Sequence, residues 1–375
     1  MPSQYFATVA RGLETLAAQE LEALGAEAIE PGFCGVSFSG DRTLLYRVNL
    51  WARLPFRVLM KLNEFSCQTA EDLYQGIQTI DWQPYLTPAH TLAVTATGKS
   101  RQLNHTHFTA LQVKNAIVDQ QQAAFGERSS VDTEQPDVRI NVHLEQDRCT
   151  VSLDSSGSSL HRRGYRPAVG AAPLKESLAA ALIELTGWQP EMPFFDPLCG
   201  SGTLPLEASL KALNIAPGLF REQFGFETWP DFDDDLWDNM LQEAEESQRE
   251  DLEAVIVGCD RNPEVIRQAR ANALNCGVGH LVKFFSEELD SVEAPADHGI
   301  LLCNPPYGER LGRDENLGQF YKLLGNVLKQ RFKGWTAFVL SGNKELASSI
   351  GLKSSQRFPV NNGSLPCQLM KYELY

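Results

Sequence analysis

The chain has 375 residues, room for two or three domains at about 150 residues each, and its 43% apolar and 22% charged residues are the proportions of an ordinary globular protein. No run approaches the roughly 18 apolar residues of a membrane helix. Met1 to Phe6 contains no basic region leading into an apolar stretch, so neither a membrane partner nor a secretory leader is expected. The net charge of −15 argues against nucleic acid only superficially: between Glu222 and Glu253 lie 13 acids and one base, Arg249, so that segment carries −12 and leaves −3 for the rest. The eight cysteines form no Cys-x-x-Cys pair, which excludes a zinc ribbon or thioredoxin-type site, and most lie in apolar runs as reduced core residues of a cytoplasmic protein would.

The first 60 residues read as a small α+β sandwich. Tyr5–Val9 is a strand, Gly12–Leu24 a helix ended by Gly25, Gly35–Phe38 a strand, Asp41 the cap of a helix carrying Leu44, Leu45 and Val48, and Arg57–Leu62 a further strand. A second α+β unit follows, with strands at 91–96, 138–144 and 149–154 and a helix over 106–125. Ser155–Ser159 reads as a flexible joint. After a connecting helix over 174–185, strands and helices alternate, with strands at 194–195, 254–259, 282–285, 299–303, 335–340, 356–360 and 368–374. Near-continuous apolar strands such as Ile300–Cys303 predict an α/β domain whose parallel sheet is covered on both faces. The short Asn361-Asn362-Gly363 link predicts an edge hairpin. Trp229, Phe232 and Trp237 suggest that the acidic segment is an ordered, helix-containing excursion over that sheet with a solvated surface.

The chemistry concentrates in three turns. Asp196-Pro197-Leu198-Cys199-Gly200-Ser201-Gly202-Thr203 joins a short strand to a helix, where the glycines allow close ligand approach and the helix offers free N–H groups. Leu206 stands where a dinucleotide fingerprint needs its third glycine, and no Gly-Lys-Ser/Thr follows, so neither an NAD site nor a phosphate loop fits. Asp196 would repel a phosphate but suits a sulfonium or ammonium, both of which S-adenosylmethionine carries. A bare strand–helix turn is the plain alternative. Asp260, ending Gly258-Cys259-Asp260, could accept both hydroxyls of a ribose, or simply cap the helix that starts at Arg261-Asn262-Pro263. Glu287 and Glu288 could accept from an adenine amine, or lie in an exposed turn.

Asn304-Pro305-Pro306-Tyr307 is the most specific signal. The Asn304 amide oxygen and Pro305 carbonyl can each accept one N–H of an exocyclic amine and so orient its nitrogen for attack on a methyl group. Pro305 and Pro306 stiffen the loop, and Tyr307 offers a face on which a base can stack. His161-Arg162-Arg163-Gly164-Tyr165-Arg166 could contact RNA phosphates with a stacking ring, or form an ion-paired linker; Lys99, Arg101, His105 and His107 form a second basic cluster. No Cys or His cluster joins His105 and His107, so no metal is expected.

These motifs, together with Gly308-Glu309-Arg310-Leu311-Gly312 after the active loop and Leu160 before the basic joint, resemble the bacterial THUMP-domain ribosomal RNA methyltransferases, in particular the group acting on guanine N2 of 23S ribosomal RNA. The resemblance covers nearly the whole chain. It implies a ferredoxin-like N-terminal domain over 1–62, a THUMP RNA-binding domain over 63–155, a linker and connecting helix over 156–193, and a seven-stranded Rossmann-like methyltransferase domain over 194–375. It implies that Asp196, Gly200 and Gly202, with Pro197, Ser201 and Thr203 in the same turn, flank the methionine of S-adenosylmethionine. Asp260 with Arg261 would then hold the ribose, Glu288 would lie near the adenine, and Asn304 to Tyr307 would form the active loop, with Asn304 at the cofactor as well. RNA contacts are expected from Arg162, Arg163, Arg166, Lys99 and Arg101. Some bacterial members carry a second methyltransferase domain, for which this chain leaves no room.

The expected partner is 23S ribosomal RNA, naked or in a pre-ribosomal particle, in the cytoplasm. Competing readings keep the fold and change what it acts on. They are guanine N2 of transfer RNA, adenine N6, a glutamine amide, or no acceptor at all, as in a non-catalytic RNA-binding assembly factor. An NAD dehydrogenase is opposed by the missing third glycine.

Overall fold

In the strands Ser3–Thr8 and Gly35–Gly40 alternate side chains (Tyr5 and Ala7, Val36 and Phe38) are buried, so one face of the sheet is core and helices cover it. The computed structural model describes residues 2–166, 174–307 and 317–375. Strands β1 (Ser3–Thr8), β2 (Glu27–Gly32), β3 (Gly35–Gly40) and β4 (Arg57–Ser66) alternate with helices α1 (Glu14–Ala23) and α2 (Arg42–Trp51). Then come α3 (Ala70–Gln78), β5 (Leu92–Lys99), α4 (Thr106–Phe125), β6 (Val138–Glu145) and β7 (Arg148–Asp154).

The two small α+β units share one sheet, ordered β2-β3-β1-β4-β7-β6-β5. Strand β4 runs through residue 62, where the sequence reading places a boundary. Residues Arg57–Met60 pair with β1, and Leu59–Ser66 pair with β7 on the other side across a register shift between Lys61 and Asn63. Two elements lie outside the sequence expectation. The edge strand β2 is mostly exposed and lacks apolar alternation. Helix α3 is announced by a capping box in which the Thr69 side chain accepts from Asp72 N–H and the Asp72 carboxylate accepts from Thr69 N–H.

The second sheet has the order β10-β9-β8-β11-β12-β14-β13, from β8 (Phe194–Asp196), β9 (Ile256–Asp260), β10 (Lys283–Ser286), β11 (Ile300–Cys303), β12 (Thr336–Ser341), β13 (Gln356–Asn362) and β14 (Leu365–Glu373). Strands β8 to β12 are mutually parallel, and β13 and β14 close the edge as an antiparallel hairpin. Helices α5 (Glu176–Thr186), α6 (Thr203–Ala212), α8 (Pro263–Asn275), α9 (Leu317–Arg331) and α10 (Lys344–Ser349) complete this half. One hydrophobic core runs from Tyr5 through α5 and α6 to Leu369, and a second lies on the far side of the second sheet around Leu301, Tyr321 and Trp335.

The serine-rich joint is packed, not flexible. Ser155 and Ser156 are fully buried; the Ser156 hydroxyl donates to Asn49 Oδ1 (2.8 Å) and the Ser155 hydroxyl to the Val58 carbonyl (2.8 Å). The Arg221 guanidinium gathers the carbonyls of Ser156, Ser158, Ser159 and Arg162. Its burial, with a lesser push from Arg163, lowers its pKa to about 10.

The acidic excursion seats on the N-terminal half. After 3₁₀ turns at Pro217–Phe220 and Gly225–Thr228, helix α7 (Asp234–Glu246) turns its acids outward, while Trp237 packs edge-on to Phe226 (5.0 Å), which stacks on Tyr46 of α2 (4.4 Å). Thr228 bonds the Asp137 carbonyl before β6, and Arg42 pairs with Asp231. Trp237→Ala removes the centre of this cluster and is expected to cost about 3–5 kcal/mol. A fall in melting temperature of several degrees would show it; unchanged melting would contradict the packing role.

Candidate active site at the carboxyl edge of the second sheet

Strand order reverses between β8 and β11, which opens a crevice outside their carboxyl ends. Three turns converge there. Asp196 ends β8, Asp260 ends the neighbouring β9, and Asn304 follows β11 on the other side. Phe195 is in register with Leu301, so strands about 4.8 Å apart bring Asp196 and the start of the Asn304 loop side by side.

Asp196 is 1% exposed, and one carboxylate oxygen accepts the Leu198 N–H at 3.0 Å. Burial pushes its pKa well above the carboxylate range, against the Leu198 bond and with a smaller push from Asp260. Asp260 accepts Gly200 N–H (3.2 Å) and Asn262 N–H (2.9 Å), which ties the two turns together. Gly202 has φ +87°, and a Cβ there would lie 3.0 Å from the Phe284 ring and 3.1 Å from Ala269, so only glycine fits. Gly200, with φ +52°, faces open space on the side a Cβ would occupy. Pro197 is buried within the turn, and the Ser201 carbonyl is held by Asn272 Nδ2 at 3.0 Å. Arg261 is exposed, its carbonyl accepting from Ser286. Glu287 and Glu288 are both exposed; the Glu287 N–H donates to the Asp260 carbonyl (3.1 Å), so this turn abuts the crevice.

In the active loop Pro305 is buried, and the Pro306 carbonyl accepts from the Tyr321 hydroxyl (3.3 Å). Asn304 Oδ1 is buried with no hydrogen-bond partner among the described residues. An acceptor left dry in this way marks a place for a donor from outside the protein. The Tyr307 hydroxyl accepts from Asn362 Nδ2 (3.0 Å) on the β13–β14 hairpin, and its ring lies 3.0 Å from where a Cβ on Gly342 would stand. The ring is thereby held by the hairpin, a contact that motif reading does not reveal. Gly308, Glu309, Arg310, Leu311 and Gly312 lie outside the described residues.

The basic joint corrects the sequence expectation. Arg163 is 2% exposed; its guanidinium donates to the Leu160 and Arg53 carbonyls and stands 3.6 Å from Glu207, so it is not available to a phosphate. Tyr165 is equally buried, its hydroxyl donating to Glu207 (3.0 Å), and is no stacking ring for RNA. Arg166 pairs with Glu176 and donates to Thr203 Oγ1 (2.7 Å), at the first residue of α6, so it too serves the fold. Gly164, with φ +114°, leaves 1.9 Å between a would-be Cβ and the Phe220 carbonyl. Burial, aided by the surrounding cations, lowers the His161 pKa to about 4. Of the joint's arginines only Arg162 is exposed, as are Lys99 and Arg101 on the N-terminal half. The His105 ring caps α4 by accepting from Phe108 N–H (3.3 Å), and no group of three metal-ligating side chains occurs among the described residues.

The raised pKa of Asp196 has a testable sign. A buried acid with a raised pKa holds its proton longer in the folded state than in the unfolded one, so stability falls as pH rises from the ordinary carboxylate value through the raised one. Asp196→Asn is therefore expected to raise the melting temperature of ligand-free protein at alkaline pH above that of the wild type. The gain should vanish near pH 4. An equal gain at both ends would show that ionisation is not the cause.

Comparison with known proteins agrees with this geometry. A model of the RMKL-like methyltransferase domain matches residues 163–371, a THUMP domain model matches 67–154, and an RlmL ferredoxin-like domain model matches 4–59. A Synechocystis sp. protein with a provisional RNA methyltransferase name is 59% identical over 99% of this chain and 97% of its own. A ribosomal RNA large subunit methyltransferase K/L of Syntrophotalea carbinolica is 42% identical over 100% of this chain; this chain spans only 54% of that protein. Among solved structures, SMU.472, described provisionally as a methyltransferase and complexed with S-adenosylhomocysteine, superposes with a TM-score of 0.90 at 32% identity, over 100% of this chain and 98% of that one. A Listeria monocytogenes protein named as an N6-adenine-specific DNA methylase superposes with a TM-score of 0.89 at 32% identity, over 100% and 97%. With its catalytic half matched along almost its full length, the chain belongs to the RMKL-like methyltransferase family and carries the ferredoxin-like and THUMP domains in front of it.

Proposed function

We propose that this protein transfers a methyl group from S-adenosylmethionine to the exocyclic N2 amine of a guanine in 23S ribosomal RNA, in the cytoplasm, on naked RNA or on a pre-ribosomal particle. The observation that carries the reading is the dry, unpartnered Asn304 Oδ1 beside the Asp196 turn. The crevice suits the cofactor: one buried carboxylate for a cation, a second exposed enough to meet ribose hydroxyls, and an open glycine turn between them. When bound there, S-adenosylmethionine supplies an electrophilic methyl on a positively charged sulfur. Asp196 faces the cationic methionine end, with Gly200, Gly202 and the rest of that turn around it. Asp260 and Arg261 take the ribose, and Glu287 or Glu288 takes the adenine amine.

Asn304 Oδ1 and the Pro305 carbonyl accept the two N–H bonds of the target amine, which aims its lone pair and favours tetrahedral nitrogen. No strong base is needed before transfer, since the proton leaves from the cationic product. The base must leave its stack to reach this loop, at a cost of a few kcal/mol, and Tyr307, held by Asn362, gives it a fixed aromatic neighbour. Lys99, Arg101 and Arg162 are the exposed cations of the two basic clusters that are available to the RNA backbone.

Incubating unmodified ribosomal RNA with labelled cofactor, then analysing the digest by nucleoside mass spectrometry, tests the acceptor. The expected product is N2-methylguanosine in large-subunit RNA; labelled N6-methyladenosine would transfer the same loop to the adenine reading, and label in transfer RNA alone would move the substrate. Asn304→Ala is expected to lower turnover by about 10²–10³-fold, the usual effect of losing one charge-stabilising contact, with cofactor affinity nearly unchanged by calorimetry. Wild-type turnover in that variant would refute the role given to Asn304.

A further inference from the structure

The two-residue turn between β2 and β3 breaks a local rule. Gly32 pairs with Gly35, so Phe33 and Cys34 form the tip, a place that favours Asn-Gly or Gly-rich pairs. Phe33 is 80% exposed, more than any other phenylalanine among the described residues, and Cys34 has φ +55°. A large apolar ring in solvent on a backbone that disfavours its neighbour serves neither folding nor solubility.

The tip is nevertheless held rigidly. One oxygen of the Glu14 carboxylate accepts Cys34 N–H (3.1 Å) and the other accepts Gly12 N–H (2.8 Å), while Val9 N–H donates to the Cys34 carbonyl (3.0 Å). The β2–β3 tip and the β1–α1 turn are thus clamped together, and the clamp sets the exposed Arg11 guanidinium 5.7 Å from the Phe33 ring centre. The guanidinium lies over one face of the exposed ring, and each residue adjoins one, Gly12 or Cys34, whose N–H bonds the same carboxylate; this is chemistry that can hold a nucleotide, the ring's other face stacking a base and the guanidinium meeting its phosphate.

The clamp also abuts the catalytic half. A Cβ on Gly12 would stand 3.0 Å from the Pro359 carbonyl of β13, and three residues on, Asn362 donates to the Tyr307 hydroxyl. At about 3.4 Å per residue the strand covers ~10 Å between them, so one hairpin links the clamp to the residue that holds Tyr307.

We propose that Arg11 and Phe33 form a stacking site for an unpaired nucleotide of the RNA substrate, outside the reaction centre. The proposal rests on the RNA reading given above. The test uses the full chain, an unmodified large-subunit RNA transcript and a short single-stranded oligonucleotide. Phe33→Ala is expected to raise KM and Kd for both RNAs by roughly 5–100-fold, as losing one base–aromatic stack does, with kcat at saturating RNA and cofactor affinity unchanged. Phe33→Trp should restore binding. Arg11→Met should reduce the slope of log K against log salt by about 0.7.

Unaltered KM and Kd in Phe33→Ala, beside an active wild-type enzyme, would overturn this site while leaving the proposed activity standing. A wild-type chain that binds cofactor but neither binds nor methylates any RNA would overturn both. A change of oligomeric state in Phe33→Ala would instead assign the tip to contact between two copies of the chain, and would also overturn the proposal.

Discussion

Two acceptors kept out of water are central to the chemistry proposed for this protein. Asp196 is buried with one bond to its own turn, and Asn304 Oδ1 is buried with none among the described residues. Leaving such groups under-satisfied opposes folding, and the rest of the catalytic half holds them in place regardless: Phe284 and Ala269 wall the glycine turn, and Tyr321 holds the Pro306 carbonyl. In the proposed reaction, donors from a cationic cofactor or a base amine would meet acceptors already aimed and desolvated, leaving little reorganisation for the reaction itself.

The N-terminal half is fastened to this crevice by a buried ionic network. Glu20 accepts the N–H groups of Arg53 and Leu54; Arg53 donates to the Leu210 and Ile215 carbonyls at the far end of α6. Arg163 bonds the Arg53 carbonyl and approaches Glu207, which also holds Tyr165, and Arg166 reaches Thr203 at the start of α6. Buried ion pairs of this kind add little net stability, because desolvation offsets their attraction. Their effect here is geometric: α6, whose N-terminus closes the Gly202 turn, is held at both ends by residues of the N-terminal half and the joint.

Much of this is legible in the residues. Period-two alternation locates strands such as Val138–Glu145, the helix over 106–125 is readable to its end residues, and the three crevice turns announce themselves as strand ends followed by glycine, acid or Asn-Pro-Pro. What escapes reading depends on distant partners. The arginines of 161–166 look like surface charge because nothing local to them shows that Glu207 and Glu176 lie beneath; motif spacing carries no burial. The serines of 155–159 have the composition of a flexible joint, and only Arg221 and Asn49 make them a packed one. Strand β2 has no apolar periodicity to read, since it lies at an exposed edge, whereas Thr69-x-x-Asp72 is a readable start for α3. In the acidic run Trp229 and Trp237 announce an ordered, helix-containing segment, while the packing of Phe226 on Tyr46 of α2 depends on a distant partner.

The function proposed for this chain requires that the cofactor turn and the amine clamp face each other across one crevice. A crystal structure of the protein with S-adenosylhomocysteine tests that arrangement most directly. The expected complex has ribose hydroxyls on the Asp260 carboxylate, the amino-acid end against the Asp196–Gly202 turn, and the sulfur directed toward Asn304 Oδ1. A ligand bound with its sulfur turned away from Asn304, or lodged outside the carboxyl edge of β8, β9 and β11, would contradict it.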